Sequence, residues 1–307
     1  MPVPRVANTP DLTPAFMLDA AVAGGAELVA PADADTIVWG GSADPRGLRE
    51  LIDPLGDAVD WVLLPWAGIE PYLDVLDDRR LWTCAKGAYA DDVAEMALAL
   101  LLAGKRGLGA YARATTWRGP GTLGTNLAGA TVCIVGGGGI TEQLLALLEP
   151  FGTRNIVVRR NVAPMPGAER VVGEDGLDDA LRGADAVVLA LALTPSTEGL
   201  IDARRLELMG PSCWLVNIAR GGHVVTDDLV QALRDGTIAG AALDVTDPEP
   251  LPDGHPLWDL PNAIVTPHVA NTPEMLVPRL AERITENVRR RIAGEPLLGV
   301  VDVAAGY

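Results

Sequence analysis

Three polar side chains, each standing just past a short apolar run, together suffice for one chemistry. Arg220 follows Cys213–Ile218, Glu249 follows Ala241–Val245 within Thr246-Asp247-Pro248-Glu249-Pro250, and His268 follows Ala263-Ile264-Val265 within Thr266-Pro267-His268. Hydride transfer to a 2-keto acid needs a cation for the carboxylate, a proton donor for the developing alkoxide, and a group that tunes that donor. A guanidinium binds a carboxylate through two parallel N–H bonds. Imidazole changes charge near neutral pH, so it can give or take the proton. A carboxylate beside it orients the ring and favours its charged form. Each residue alone has a plainer reading: a surface arginine, a turn between two prolines, a structural histidine. Their joint placement carries the chemical one.

A fourth feature points the same way. Gly136-Gly137-Gly138-Gly139-Ile140-Thr141 follows the apolar run Thr131–Val135 and precedes the helical pattern Glu142–Leu148. A G-x-G-x-x-G turn lets the backbone fold tightly and approach a pyrophosphate, whose charge sits on the helix N-terminus. Gly136 and Gly138 fill the first two positions, but the third is Thr141. Glycine there lets helix and strand pack closely, so the β-branched residue is expected to push the helix slightly outward. In NAD-binding sheets an acid about 20 positions past the glycines holds the ribose hydroxyls. Here the next run ends Val157-Val158-Arg159-Arg160-Asn161. No acid repels a 2′-phosphate and two guanidiniums are available to bind it, which favours NADP(H) over NAD(H).

These residues need elements to position them. Thr36–Trp39, Trp61–Leu64 and Leu81–Cys84 are short apolar runs separated by helical patterns, as in a parallel sheet buried on both faces. Asp91–Leu102 is rich in Ala, Leu, Met and Glu and predicts a helix, with Asp91 or Asp92 as its cap and Glu95 at capping-box spacing from Asp92. A second long helix is predicted from Thr272 to about Ile292, with Thr272 as cap, Pro273 in the first helical position, and Arg289, Arg290 and Arg291 complementing the dipole. Between them Thr131–Val135, Ile156–Val158, Ala186–Leu191, Cys213–Ile218, Ala241–Val245 and Ala263–Val265 read as strands. A helix opened by Thr226 and stopped at Gly236 lies among them. This is a doubly wound α/β pattern, in which ligands bind beyond the carboxyl ends of the strands. The glycine loop and the three polar residues all emerge at that edge. The expected architecture is α/β with two doubly wound parallel-sheet domains. Residues 1–95 begin the first, residues 96–272 form an inserted dinucleotide-binding domain of Rossmann type, and residues 273–307 return to the first.

Composition narrows the partners. A chain of 307 residues exceeds the usual size of one core, and 49% hydrophobic with 21% charged residues excludes disorder as the main state. Acidic residues number 41 against 24 basic ones, a net charge of −17 that repels nucleic acid and anionic lipid. A local arginine can still bind a small anion at close range. Cys84, Cys133 and Cys213 are too few and too widely spaced for a disulfide framework or a zinc site, so packed thiols in a reducing compartment and no metal are expected. The stretch Met1–Arg5 has no apolar signal core, and Ala97–Ala103 and Ala186–Leu193 are too short to cross a bilayer. A soluble cytoplasmic protein is the expectation.

From about Trp66 to Glu274 the chain resembles the D-isomer-specific 2-hydroxyacid dehydrogenases, the family that contains phosphoglycerate dehydrogenase, D-lactate dehydrogenase and glyoxylate/hydroxypyruvate reductase. The resemblance rests on Ala67-Gly68-Ile69-Glu70, on Ala88-Tyr89-Ala90-Asp91-Asp92-Val93-Ala94-Glu95, on the glycine loop and on Leu193-Thr194-Pro195. It continues through Leu215–Gly222, Ala242-Leu243-Asp244-Val245 and Val265-Thr266-Pro267-His268. It implies a flavodoxin-like substrate domain made from both chain ends around the nucleotide domain, and commonly a homodimer through the latter. It also implies Arg220 as binder of the substrate carboxylate, helped by backbone N–H groups around Ala67 and Gly68. Trp66, beside that loop, is read either as narrowing the pocket or as packing between the domains. His268 is implied as general acid/base with Glu249 as its partner. Gly136 and Gly138 are implied at the pyrophosphate and Asp244 at the nicotinamide carboxamide; Gly139, Ile140, Thr141, Arg159, Arg160, Thr194 and Ala219 join them as candidate cofactor-binding residues. Thr141 and Arg159 depart from the family's pattern.

The leading expectation is an oxidoreductase acting on a small 2-keto or 2-hydroxy acid with NADP(H). The alternative is a non-catalytic nucleotide-binding sensor or corepressor of the same fold, motivated by the altered glycine loop. A formate dehydrogenase is disfavoured because Glu249 is present where enzymes of that kind depart from the acid partner.

Overall fold

The computed structural model describes residues 2–41, 45–117, 119, 121–304 and 306. The chain divides into two compact units, Met1–Tyr89 with Thr272–Tyr307, and Ala90–Asn271.

In the first unit the strands β1 (Arg5–Ala7), β2 (Glu27–Val29), β3 (Thr36–Val38), β4 (Trp61–Leu63) and β5 (Leu81–Thr83) form a parallel sheet in the order β2-β1-β3-β4-β5. That order is the flavodoxin-like one. Its core gathers Ile37, Trp39, Val62, Leu64, Tyr72 and Trp82, all fully or almost fully buried. The last part of the chain completes this unit. Helix Pro273–Ala293 lies on helix Ala15–Gly24, and the two backbones meet at Gly24. A Cβ there would sit 2.7 Å from the Thr285 carbonyl oxygen, so the close approach requires glycine. The Thr285 hydroxyl donates to the Ala20 carbonyl at 2.9 Å. Thr272 occupies the N-cap position of the long helix, but its side chain makes no capping bond. Gly294 closes the helix in the left-handed conformation, its N–H returning to the Arg290 and Arg291 carbonyls. The chain then runs along β5. Cys84 N–H donates to Gly299 O at 2.8 Å and Val301 N–H to Trp82 O at 2.9 Å, which covers that edge of the sheet.

The second unit holds β6 (Thr131–Val135), β7 (Arg154–Val158), β8 (Arg170–Val172), β9 (Ala186–Leu189), β10 (Trp214–Asn217), β11 (Gly240–Leu243) and β12 (Ala263–Val265). They form one parallel sheet in the order β12-β11-β10-β9-β6-β7-β8. The order reverses between β9 and β6, the switch point where doubly wound sheets bind ligands. Successive side chains of a strand face opposite sides. Accordingly Cys133, Val135, Val187, Leu189, Ala241 and Leu243 enter one core. Their neighbours Val132, Ile134, Ala186, Val188 and Ala242 enter the other. Burial on both faces is why these strands read as continuous apolar runs. Helix Ala90–Lys105 belongs wholly to this unit and begins at Ala90. Asp91 and Asp92 therefore lie inside its first turn, where they complement the dipole rather than cap it. Strand β9 ends at Leu189 and β11 at Leu243, two residues earlier than the apolar runs suggest. Among the described residues no helix is long and apolar enough to cross a membrane.

Candidate active site

Loops leave the carboxyl edge of the second sheet past β6, β7, β9, β10, β11 and β12. The first joins β6 to helix Gly139–Leu148. Gly136 has φ +119°, and a Cβ there would lie 2.0 Å from the Ala190 carbonyl oxygen. The turn runs directly against the backbone leaving β9, so only glycine fits. At Gly138 a Cβ would meet nothing within 4 Å, so the loop is open on that side. Glu142 N–H bonds back to Gly138 O at 3.1 Å. The N–H groups of Gly139, Ile140 and Thr141 have no partner within the helix and collect at its positive end, a ready anion site. Thr141 is fully buried and its hydroxyl donates to the Gly136 carbonyl at 3.0 Å. The residue that replaces the third glycine thus ties the first helical turn to the loop.

Past β7, Arg159 and Arg160 part company. Arg159 lies along the glycine loop: a Cβ on Gly137 would come within 2.5 Å of its Cδ and 2.9 Å of its Nε. Arg160 is exposed and faces Glu174 at 3.9 Å. The loop past β9 folds around Thr194 and Thr197. Thr194 N–H donates to Thr197 Oγ1 at 2.8 Å, and the Thr197 hydroxyl donates to Ala192 O at 2.9 Å.

Past β10, the buried Asn217 side chain shapes the turn that carries Arg220. Its Nδ2 donates to Arg220 O at 2.8 Å and its Oδ1 accepts Ala219 N–H at 3.1 Å. Ala219 is buried, and the half-buried Arg220 donates through Nη1 to Ala219 O at 2.7 Å. Gly221 was not anticipated. A Cβ there would lie 1.9 Å from Thr246 O and 2.0 Å from Thr246 C. The arginine turn therefore rests on the backbone of the loop that leads to Glu249. The only trace of this in the sequence is the glycine directly after the arginine.

Asp244, at the end of β11, is fully buried and organises the histidine segment. Its carboxylate accepts the Thr266 hydroxyl at 2.6 Å, Val269 N–H at 3.0 Å and Ala270 N–H at 2.9 Å. Its own carbonyl accepts His268 N–H at 2.8 Å. Held from both sides, His268 sits at φ +54°, the one left-handed non-glycine residue among those described. Such backbone persists where the surroundings over-determine it, commonly at functional sites. His268 Nδ1 lies 2.7 Å from Glu249 Oε1. The carboxylate fixes the proton on Nδ1 and leaves Nε2 for exchange with a bound molecule. The two side chains are 49% and 42% exposed, so the pair is open to a ligand.

In the first unit the loop past β4 holds Trp66, Ala67 and Gly68. Ala85 N–H donates to Trp66 O at 3.0 Å. The Tyr72 hydroxyl is hydrogen-bonded to the indoles of Trp39, at 3.3 Å, and Trp66. Burial pushes the Tyr72 phenol up, and those two bonds oppose the shift. Trp39 and Tyr72 are buried while Trp66 stays 41% exposed, so an exposed indole is clamped by a rigid interior.

All three cysteines are free and buried. Burial pushes the Cys133 thiol to about 12 and raises those of Cys84 and Cys213, so none is a reactive thiolate. Among the described residues no cluster of His, Cys, Asp and Glu is placed to hold a metal ion. A cavity of about 520 Å³ lies at the opposite edge of the second sheet, lined by Lys105, Leu123, Asp185 and Trp214 among others. It is remote from the loops at the carboxyl edge.

Comparison with known proteins agrees with the geometry. Residues 96–270 match the family model described as D-isomer specific 2-hydroxyacid dehydrogenase, NAD binding domain. The chain is 41% identical over 281 residues to an uncharacterized protein in the proB 3′ region of Corynebacterium melassecola, covering 90% of each. It is 35% identical over 217 residues to human glyoxylate reductase/hydroxypyruvate reductase, covering 67% of this chain and 65% of that one. Among solved structures, the D-isomer specific 2-hydroxyacid dehydrogenase from Xanthobacter autotrophicus Py2, in complex with NADPH and MES, is similar with TM-score 0.84 and 28% identity over 100% of both chains.

Proposed function

Because the chain belongs to the D-isomer specific 2-hydroxyacid dehydrogenase family, and so is an NAD(P)-dependent oxidoreductase, we propose that it reduces a small 2-keto acid of the glyoxylate or hydroxypyruvate kind with NADPH. The product is the 2-hydroxy acid, of D configuration where it is chiral. The observation that carries the reading is the His268–Glu249 pair at 2.7 Å on an open sheet edge.

The residues fit a dinucleotide. Gly136 lets the loop turn tightly against the Ala190 backbone, the loop is open at Gly138, and the N–H groups of Gly139, Ile140 and Thr141 suit a pyrophosphate. Bound there, the dihydronicotinamide supplies the hydride. Arg220 pairs with the substrate carboxylate, a role the resemblance also gives to the backbone around Ala67 and Gly68. As charge develops on the keto oxygen, His268 donates its Nε2 proton, and Glu249 stabilises the imidazolium before transfer. Asp244 accepts three hydrogen bonds, one short of the about four lone-pair sites of a carboxylate. One acceptor position is left for the nicotinamide carboxamide. Trp66 is given the role of limiting substrate size.

The test is a panel on purified protein, following NADPH and NADH oxidation separately with glyoxylate, hydroxypyruvate, pyruvate and a bulkier 2-keto acid. Turnover is expected with NADPH and the small acids, and little with the bulky one. Tight cofactor binding without turnover on any acid would move the reading to a nucleotide-binding sensor.

Arg159, laid along the glycine loop, is assigned to the 2′-phosphate. A charge-assisted pair of this kind contributes about 1.5–3 kcal/mol, so Arg159→Asp is expected to shift the NADPH-to-NADH preference by about 10–100-fold. Equal preference before and after the change would overturn that assignment.

The assembly read for this chain is a homodimer through the second unit. Supporting it, Leu108, Tyr111, Trp117 and Leu123 leave apolar surface exposed, Trp117 fully. Light scattering is expected to give twice the chain mass, and a monomer would refute the assembly.

A further inference from the structure

We propose that His223 is held as a doubly protonated imidazolium, and that in this form it is a positioning residue pinning the 191–197 loop to the arginine turn. His223 lies three residues past Arg220 and is completely buried. Its Nδ1 is 3.0 Å from the Thr197 carbonyl oxygen and its Nε2 is 3.2 Å from the Leu191 carbonyl oxygen. Both partners can only accept. A neutral imidazole has one N–H and one lone pair, so one of the two contacts would set a lone pair against a carbonyl oxygen. The imidazolium donates at both ends and leaves neither nitrogen nor carbonyl unsatisfied.

The two carbonyls are the two ends of one loop. Leu191 leads off β9, and Thr197 closes the turn that holds Thr194. The backbone repeats the connection: Gly199 N–H donates to Gly222 O, and Ile201 N–H to His223 O, both at 2.8 Å. Val225 N–H returns to Ile201 O at 2.9 Å. The side chain thus closes the part of the loop that the backbone leaves unattached. The titratable groups on the surrounding segments are Arg220 on the same turn and Glu198 beside Thr197. Asp227 and Asp228 stand in the first turn of helix Thr226–Asp235. Complete burial by itself favours the neutral ring, and the two carbonyl acceptors, one at each ring nitrogen, oppose it. The effect of the loop on cofactor binding, through Thr194, rests on the proposed function; the charge state of His223 does not.

The chain has three histidines, so ¹⁵N-histidine labelling gives a readily resolved spectrum. His223 is identified as the set of signals retained in both His255→Gln and His268→Asn. At pH 7.5 long-range ¹H–¹⁵N correlations are expected to find protons on both of its ring nitrogens, with and without NADPH. A bare ring nitrogen in the native protein would overturn the proposal, whether or not the variant folds. In His223→Gln the Kd for NADPH is expected to rise about ten-fold, the loss of one charge-assisted hydrogen bond. An unchanged Kd would overturn the pinning role. Failure of the native protein to bind any nicotinamide cofactor would instead defeat the proposed function, and the nitrogen spectra would still decide the charge of His223.

Discussion

Replacing His268 with asparagine is expected to lower kcat for keto-acid reduction by about 10²–10⁴-fold, the usual contribution of a positioned acid/base. Asparagine suits this test because it tolerates the left-handed backbone that His268 adopts at φ +54°. The anchoring of the segment by Asp244 uses backbone groups and Thr266, so it survives the change. The KM for cofactor should therefore move little while kcat falls. The pH dependence carries the same assignment. Reduction consumes a proton from imidazolium, so its rate is full at low pH and declines as pH rises and His268 loses that proton. Oxidation of the hydroxy acid needs the neutral ring and declines in the opposite direction. In Glu249→Gln the carboxylate that orients the ring at 2.7 Å is gone, so kcat for reduction should fall while the KM for cofactor moves little. A flat profile in the native enzyme, or full activity in His268→Asn, would refute the role.

Gly221→Ala should be the most damaging small substitution outside the chemistry itself. Its φ is not the difficulty; space is. The added methyl would lie 1.9 Å from Thr246 O and 2.0 Å from Thr246 C, and backbone cannot swing aside as a side chain can. Overpacking of this kind costs about 1–3 kcal/mol. For a unit of this size each kcal/mol lowers Tm by about 2–4 °C. The larger effect is on alignment. Whichever backbone yields, the turn carrying Arg220 separates from the loop carrying Glu249, and a misplacement of about 1 Å can cost about 10²-fold in rate. Gly222→Ala is the control. Its methyl would meet only the flexible tip of Leu193 at 3.3 Å, so activity and Tm should stay near native. Matching losses in both variants, seen by calorimetry and kcat/KM, would show that the Thr246 contact is not the cause.

The second unit was legible in the sequence because its strands bury both faces. Thr131–Val135 sends Cys133 and Val135 into one core and Val132 and Ile134 into the other, and an uninterrupted apolar run survives in the chain. Strands β1, β2 and β8 gave no such run. Each is three residues long and begins with a charge, Arg5, Glu27 or Arg170, and three residues hold no measurable period. Helix Ala15–Gly24 was equally silent, since it is apolar nearly all round and lacks the polar face that marks a surface helix. Within the site, the pairing of His268 with Glu249 followed from two neighbouring strand ends. Gly221 could not be read the same way, because its reason is the backbone of residue 246. Thr141 was read as a steric intrusion, whereas its hydroxyl has a place on the Gly136 carbonyl. Arg159 and Arg160 are alike as letters, and only the sheet separates the one along the loop from the one facing Glu174.

The way the last helix packs on the first has a consequence for biosynthesis. Ala90–Asn271 is a continuous stretch that leaves the ribosome whole, with both its cores complete. Domains fold as units while the chain emerges at about 5–20 residues per second. The sheet of β1–β5 emerges earlier but lacks the Thr285 and Val288 surface that Gly24 packs against, and the tail that covers β5. The unit whose synthesis begins first is therefore the one that finishes folding last. During that interval its uncovered β5 edge and the bare face of helix Ala15–Gly24 are the surfaces a holding chaperone would meet.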